Sequence, residues 1–216
     1  MGGTITLLKV KSEQRGRVLV YLDGEPAFSL AGLLAARFRL GQSLSDGEIE
    51  SLKRQDEVEV ACQRAMRLIR NRPRAERELR QKFERDQLPP ETQEAVIGRL
   101  RVAGLVDDEG FAQAWVENRS AFRPRAARML RYELRQKGIP AVAIDLALQG
   151  YDEDQAAGAA ACKAARRLSQ LAEDDFKRRL SQYLARRGFE HATISPVVER
   201  LWREITDNGN ESEGNL

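Results

Sequence analysis

The tetrapeptide Arg-Pro-Arg-Ala occurs twice, at 72–75 and at 123–126. Each copy is followed by Glu-Leu-Arg-Gln-Lys, at 78–82 and at 133–137. Two matches in the same order mark an internal repeat, and a repeat of this size constrains the fold more than any other feature. The first strings lie 51 positions apart and the second 55. Four residues are about one helical turn, so a four-residue insertion would leave a helical face pointing in nearly the same direction. On the 55-residue spacing Phe83 corresponds to Gly138. The repeated element is therefore expected to be helical, and it is strongly basic.

Punctuation places the helices. Ala61, Cys62, Ala65, Leu68 and Ile69 keep a helical period until Arg72-Pro73 interrupts it. Proline disfavours helix at the preceding residue and suits the first turn of the next one. Leu79 and Phe83 mark a second helix, then Pro89-Pro90 and a third helix with Val96 and Leu100. The pattern returns with Phe111, Ala112, Trp115 and Val116, broken at Arg123-Pro124, then Leu130 and Leu134, and then Ile144 and Leu148. A third, diverged unit shares Ala-Cys-x-x-Ala-x-x-Leu at 161–168 with 61–68, and continues through Phe176, Leu180, Leu184, Ile194 and Leu201. It has no Arg-Pro break.

The first 57 residues read differently. Ile5, Leu7, Val10 and the run 18–22 are β-formers, and Asp23-Gly24 is a two-residue hairpin signal. Pro26 confines the returning strand to a sheet edge. Leu30, Leu33, Leu34 and Phe38 fit a helix, with Gly41 as its stop, and Ser45 with Glu48 forms a capping box for another. The expected organisation is mainly α. Residues 1–57 form a β-hairpin with linking helices, 58–106, 107–150 and 151–206 are three-helix repeats, and 207–216 form a disordered polar tail.

Charge is concentrated rather than large. The net charge is +3, residues 1–57 balance to zero, the last ten carry −3, and residues 119–137 alone carry +6. On the helix after Arg123, the apolar Ala126, Leu130 and Leu134 share one arc, while Arg125, Arg128, Arg131 and Arg135 share the next. Arg123 and Lys137 bracket them, and only Glu133 offsets the run. Helices usually mix signs, because like charges one turn apart repel. A one-sided face therefore points to an anionic partner. In the first unit Arg72, Arg74, Arg77, Arg80 and Lys82 are interleaved with Glu76, Glu78 and Glu84, so self-pairing is an equal explanation. In the third, Lys177, Arg178, Arg179, Arg186 and Arg187 follow Glu173, Asp174 and Asp175, acids suited to a helix N-terminus.

Other chemistries lack their residues. His191 is the only histidine, and Cys62 and Cys162 read as small residues at helix crossings. Trp115, Trp202, Phe111 and Phe122 lie at helical spacing and read as core, not as a stacking platform. There is no phosphate-binding loop, dinucleotide fingerprint or apolar run long enough to span a bilayer. A cytoplasmic, non-enzymatic protein without cofactor or metal is expected.

The string from Arg72 to Lys82, Gly-Leu-Val-Asp-Asp-Glu-Gly-Phe-Ala at 104–112, Arg-Pro-Arg-Ala at 123–126 and Glu-Leu-Arg-Gln-Lys-Gly-Ile at 133–139 together resemble the RecX family. The resemblance covers about Val58 to Trp202. It implies tandem three-helix repeats in an elongated, curved monomer that regulates the RecA recombinase in recombination, DNA repair and the SOS response. It further implies binding to the RecA–single-strand filament and to single- and double-stranded DNA through backbone contacts, with suppression of filament growth, ATP hydrolysis and strand exchange. The sixteen basic residues named in the three units are the candidate contacts. A DNA- or RNA-binding transcriptional or post-transcriptional regulator without a RecA role is the alternative, and a purely protein-binding solenoid the third possibility.

Overall fold

The N-terminal strands assemble because a tight turn and a buried ion pair hold them. A computed structural model describes residues 2–11 and 16–213. Strands β1 (Gly3–Val10), β2 (Arg17–Leu22), β3 (Glu25–Ala31) and β4 (Ser43–Leu44) form an antiparallel sheet in the order β3-β2-β1-β4. Asp23 (φ 50°) and Gly24 (φ 91°) make the two-residue turn. Pro26 sits on the edge strand β3, where its missing N–H costs no ladder bond. The helix expected through Leu30 to Phe38 shrinks to α1 (Gly32–Ala35). Leu30 and Ala31 instead end β3, where both are buried.

Helix α2 (Asp46–Asn71) starts at the Ser45–Glu48 capping box. No glycine or proline follows Gly47 inside it, so it runs unbroken for 26 residues. The boundary expected between 57 and 58 therefore falls inside a helix. Asp56, on α2, is 9% exposed. It accepts two 2.8 Å bonds from Arg17 Nη1 and one of 2.6 Å from the Ala31 N–H. Arg17 Nη2 also donates to the Ser29 carbonyl at 2.7 Å. One carboxylate thus ties strands β2 and β3 to the helix. Ile5, Val20, Leu22, Leu30, Leu44 and Ile49 fill the space between them.

The rest is three helical repeats. The first is the second half of α2 with α3 (Glu76–Arg85) and α4 (Pro90–Val102). The second is α5 (Asp108–Phe122), α6 (Ala127–Lys137) and α7 (Ala141–Ala147). The third is α8 (Glu153–Ala165), α9 (Glu173–Arg186) and α10 (His191–Glu213). The chain divides into two units, Met1–Val106 and Asp107–Leu216. Helix α10 continues beyond Asp207, the expected start of the tail, and residues 214–216 lie outside the described residues.

The middle helices share one grammar. Ala75, Ala126 and Ala172 are their N-caps, and apolar residues then recur every four: Leu79 and Phe83, Leu130 and Leu134, then Phe176, Leu180 and Leu184. Each helix is followed by a left-handed residue, Gln87 (φ 56°), Gly138 (φ 83°) or Gly188 (φ 92°). The next N–H then reaches back to close the helix: Leu88 to Phe83 at 3.0 Å, Ile139 to Leu134 at 3.1 Å and Phe189 to Leu184 at 3.3 Å. Pro89 and Pro140 cap the helices that follow.

These landmarks correct the insertion inferred from the two strings. Cap, ladder, left-handed residue and proline all repeat at 51 positions between the first two units. Phe83 therefore corresponds to Leu134, and Gln87, not Phe83, to Gly138. The string Glu-Leu-Arg-Gln-Lys simply lies one turn further along α6 than along α3. A real extra turn exists, but in α9, whose ladder has a third rung at Leu184. Leucines on these rungs are completely buried, and truncating one to alanine costs about 3 kcal/mol.

Replacing Asp56 with alanine should leave Arg17 and the Ala31 N–H without their acceptor. We expect a loss of about 2–3 kcal/mol in urea unfolding of the N-terminal unit. Hydrogen exchange of α6 and α9 should be unchanged. A variant that unfolds at the wild-type midpoint would show that the pair contributes nothing.

Candidate nucleic-acid interface

The second-repeat stripe, the first place to look on sequence grounds, is largely used up inside the fold. Glu133 is its hub. Glu133 Oε2 accepts from Trp115 Nε1 and Arg119 Nε, both at 2.8 Å, and Oε1 pairs with Arg125 Nη1 at 2.6 Å. The Glu133 side chain is 13% exposed, so these contacts are screened little by water. Arg119 lies 4.4 Å and Lys137 5.3 Å from the Trp115 ring centre. Arg128 Nε donates to the Gly188 carbonyl. Arg131 pairs with Asp145 at 3.4 Å. Arg135 is exposed on the last turn of α6. One acid answers several bases, which counting charges along the chain could not show.

The first-repeat cations are also mostly answered. Arg72 holds Glu78 through two bonds of 2.9 and 3.0 Å, which push the guanidinium above its ordinary value. Arg80 bridges Glu94 and Glu76, and these hydrogen bonds, Glu94's first, push it up strongly. Lys82 pairs with Asp86. The Arg74 Nε is buried without a hydrogen bond, and Arg77 is exposed. In the third repeat, Lys177 reaches Glu173 and Glu199, both at 2.7 Å, and these bonds raise its pKa. Arg178 takes Asp175, whose carboxyl it pulls below the usual range.

Six other cations converge in the C-terminal unit. A groove of about 710 Å³ runs between the end of α5, α8 and α9. Arg123, Lys163, Arg167, Arg179, Arg186 and Arg187 line it, and no carboxylate does. Lys163 stands on the last turn of α8 and Arg167 in the turn that follows it, while Arg179 and Arg186, seven apart on α9, share a helix face. Arg123, Arg167 and Arg186 form no ion pair among the described residues, so their charge is available to a ligand.

The Arg-Pro break builds one wall. Pro124 keeps Arg123 out of the helix (φ −145°, ψ 67°), so α5 stops at Phe122. The chain turns there and presents both residues to the groove. Phe122, expected in the core, is 70% exposed. The floor is fixed by Arg187, which lies 4.5 Å above the Tyr183 ring and donates to the Pro124 carbonyl at 3.1 Å. The α6 N-terminus is fixed too: the Ala126 N–H donates to the Arg187 carbonyl at 3.1 Å. A Cβ on Gly188 would come within 2.3 Å of Met129 Cγ, so glycine meets both the left-handed φ and the close approach.

Of the sixteen basic residues predicted, the structure brings Arg123, Arg179, Arg186 and Arg187 together. It places Arg125 at a smaller rim pocket with Arg123 and Tyr183 while holding its guanidinium on Glu133. Sequence reasoning missed Lys163, read Phe122 as core and left Arg167 out of the candidate contacts. The available signal was the four-residue spacing of Lys163 and Arg167 and an aromatic next to a helix-breaking Arg-Pro. No group of three or more metal-ligand side chains occurs among the described residues. Six cations around an open channel, with no carboxylate among the lining residues, are charge chemistry that suits a chain of phosphates.

A double-mutant cycle tests the structural role given to Arg125. We expect Glu133→Ala alone to cost about 2 kcal/mol in urea unfolding, with a coupling of about 1–2 kcal/mol to Arg125→Ala. Additive effects would return Arg125 to the pool of ligand contacts.

Comparison with known proteins identifies the repeats. Models of the first, second and third three-helix domains of RecX match residues 61–100, 107–148 and 152–198. Regulatory protein RecX of Streptomyces coelicolor is 38% identical over 152 residues, covering 69% of this chain and 81% of that protein. Regulatory protein RecX of Geobacillus kaustophilus is 29% identical over 205 residues, 91% of this chain and 76% of that one, so this likeness extends into the N-terminal sheet region. A crystal structure of regulatory protein RecX superposes with a TM-score of 0.73 at 25% identity, covering 91% of this chain and 99% of that one. The RecX structure from Lactobacillus salivarius (TM-score 0.59, 19% identity, 68% of this chain and 97% of that one) shares the fold. The three domain matches span more than half of the sequence, and the chain belongs to the RecX family.

Proposed function

We propose that this protein regulates the RecA recombinase without catalysis of its own, by binding the RecA–single-strand filament. Suppression of filament growth, ATP hydrolysis and strand exchange would follow from that binding. The observation that carries the nucleic-acid half of the reading is the groove lined by six cations and no carboxylate. Gathering so many like charges beside one another without a counter-charge is unfavourable, and a polyanion relieves that repulsion. Family membership supports the RecA half. Phosphate contact gives affinity without sequence readout, as a protein acting anywhere along a filament requires. The same contacts would hold duplex DNA more weakly.

This role assigns the protein to the compartment of RecA, the cytoplasm. Among the described residues no helix is long and apolar enough to cross a membrane. The reading needs only a monomer.

The test is RecA ATPase on single-stranded DNA, titrated with wild type and with an Arg179→Glu/Arg186→Glu variant. Both residues are exposed, so the fold should survive the change. We expect wild type to suppress turnover and the variant to need at least tenfold more protein for the same effect. Equal suppression would remove the groove from the mechanism. No suppression by wild type, with tight preference for one duplex sequence, would favour a transcriptional regulator.

A further inference from the structure

Two aromatic rings line the cationic groove, and they are not equivalent. Tyr183 is half-buried, and the Arg187 guanidinium already covers one face of its ring at 4.5 Å. That pairing positions Arg187 and leaves Tyr183 a supporting role. Phe122 is 70% exposed at the C-terminus of α5, directly beside Arg123 and across from the α9 arginines. No aromatic contact within the fold holds it among the described residues.

The repeats supply an internal control. On the 51-residue spacing, Asn71 occupies the place of Phe122, and Arg72, locked to Glu78, the place of Arg123. An exposed ring beside an arginine that forms no ion pair among the described residues thus occurs at the second break, and an asparagine beside a paired arginine at the first. A phenylalanine ring left in water forgoes the stabilisation that burial would give it. A ring placed among phosphate-binding cations recovers that stabilisation when a base lies on it, and a duplex keeps its bases stacked on each other instead.

We infer that Phe122 is a base-stacking residue, and that the groove therefore takes a single strand with at least one unstacked base in preference to a duplex. The cations hold the backbone without regard to sequence, and the ring adds a contact that any base can make. This deepens the nucleic-acid half of the proposed function and rests on it.

The test uses the full chain, no RecA, and three fluorescently labelled probes of equal length: oligo-dT, an oligomer of abasic sites and a duplex. Wild type should bind oligo-dT more tightly than the abasic strand. Phe122→Ala should weaken oligo-dT binding about tenfold, and change abasic and duplex binding less than twofold. Phe122→Trp should restore the preference and add a fluorescence quenched by oligo-dT, beyond the Trp115 and Trp202 signal of wild type. Arg179→Glu/Arg186→Glu should weaken all three probes. Equal affinities of wild type for oligo-dT and the abasic strand would overturn the stacking role, as would equal losses on both in Phe122→Ala. An unchanged affinity for oligo-dT in Phe122→Ala would also overturn it, and weaker RecA inhibition by that variant would then identify Phe122 as a protein contact. If the arginine variant still bound all three probes more weakly, the groove reading would survive that failure. If it bound them all as wild type does, both would fall.

Discussion

Everything in the helical part of this chain depends on one register: a buried ladder with a rung every four residues, started at an alanine cap, buried in the first two repeats, and stopped by a left-handed residue. Ala75 and Ala126 let the starts of α3 and α6 approach their neighbours without a gap. Leu79 and Phe83, or Leu130 and Leu134, then fix which face turns inward. Burial on that face decides where every polar side chain must go, because helix geometry leaves no independent choice for the others. The third repeat keeps the ladder and lengthens it by one rung, so the outward face of α9 is one turn longer than that of α6. Arg179 and Arg186 stand on that longer face.

The same register explains why one basic helix is structural and another is open to solvent. In α6 the stripe meets Glu133, the Gly188 carbonyl and Asp145. Those contacts tie the second repeat to its own first helix and to the third repeat. In α9 the acids are gathered at the first turn, where the helix dipole favours them. They answer Lys177 and Arg178 and leave the far end of the helix cationic. The open surface lies where the fold has no local counter-charge.

Much of this was legible in the sequence. The hairpin turn at Asp23-Gly24, the edge position of Pro26, the Ser45–Glu48 cap and the Arg-Pro breaks all act through backbone rules that hold within a few residues. The ladder was legible because burial repeats with the helical period. Three things were not. The string Glu-Leu-Arg-Gln-Lys matched without occupying matching structural places, because string identity carries no information about distance from a helix cap. The second-repeat stripe looked unpaired because its partners are distant along the chain: Arg125 reaches Glu133, Arg131 reaches Asp145 of α7, and Arg128 reaches the Gly188 carbonyl. The groove was invisible because Lys163 and Phe122, 41 positions apart, meet only in three dimensions.

We propose that the α9 cations, and not the α6 stripe, touch nucleic-acid phosphates. It is tested most directly by the salt dependence of oligo-dT binding. Removing one cation from a phosphate should flatten the slope of log K against log salt by about 0.7 for a single strand. Arg179→Glu/Arg186→Glu should therefore lower the slope by about 1.4, while a change at Arg131, held by Asp145, should leave it nearly unaltered. An unchanged slope in the α9 variant, with a flatter one in the Arg131 variant, would contradict the account.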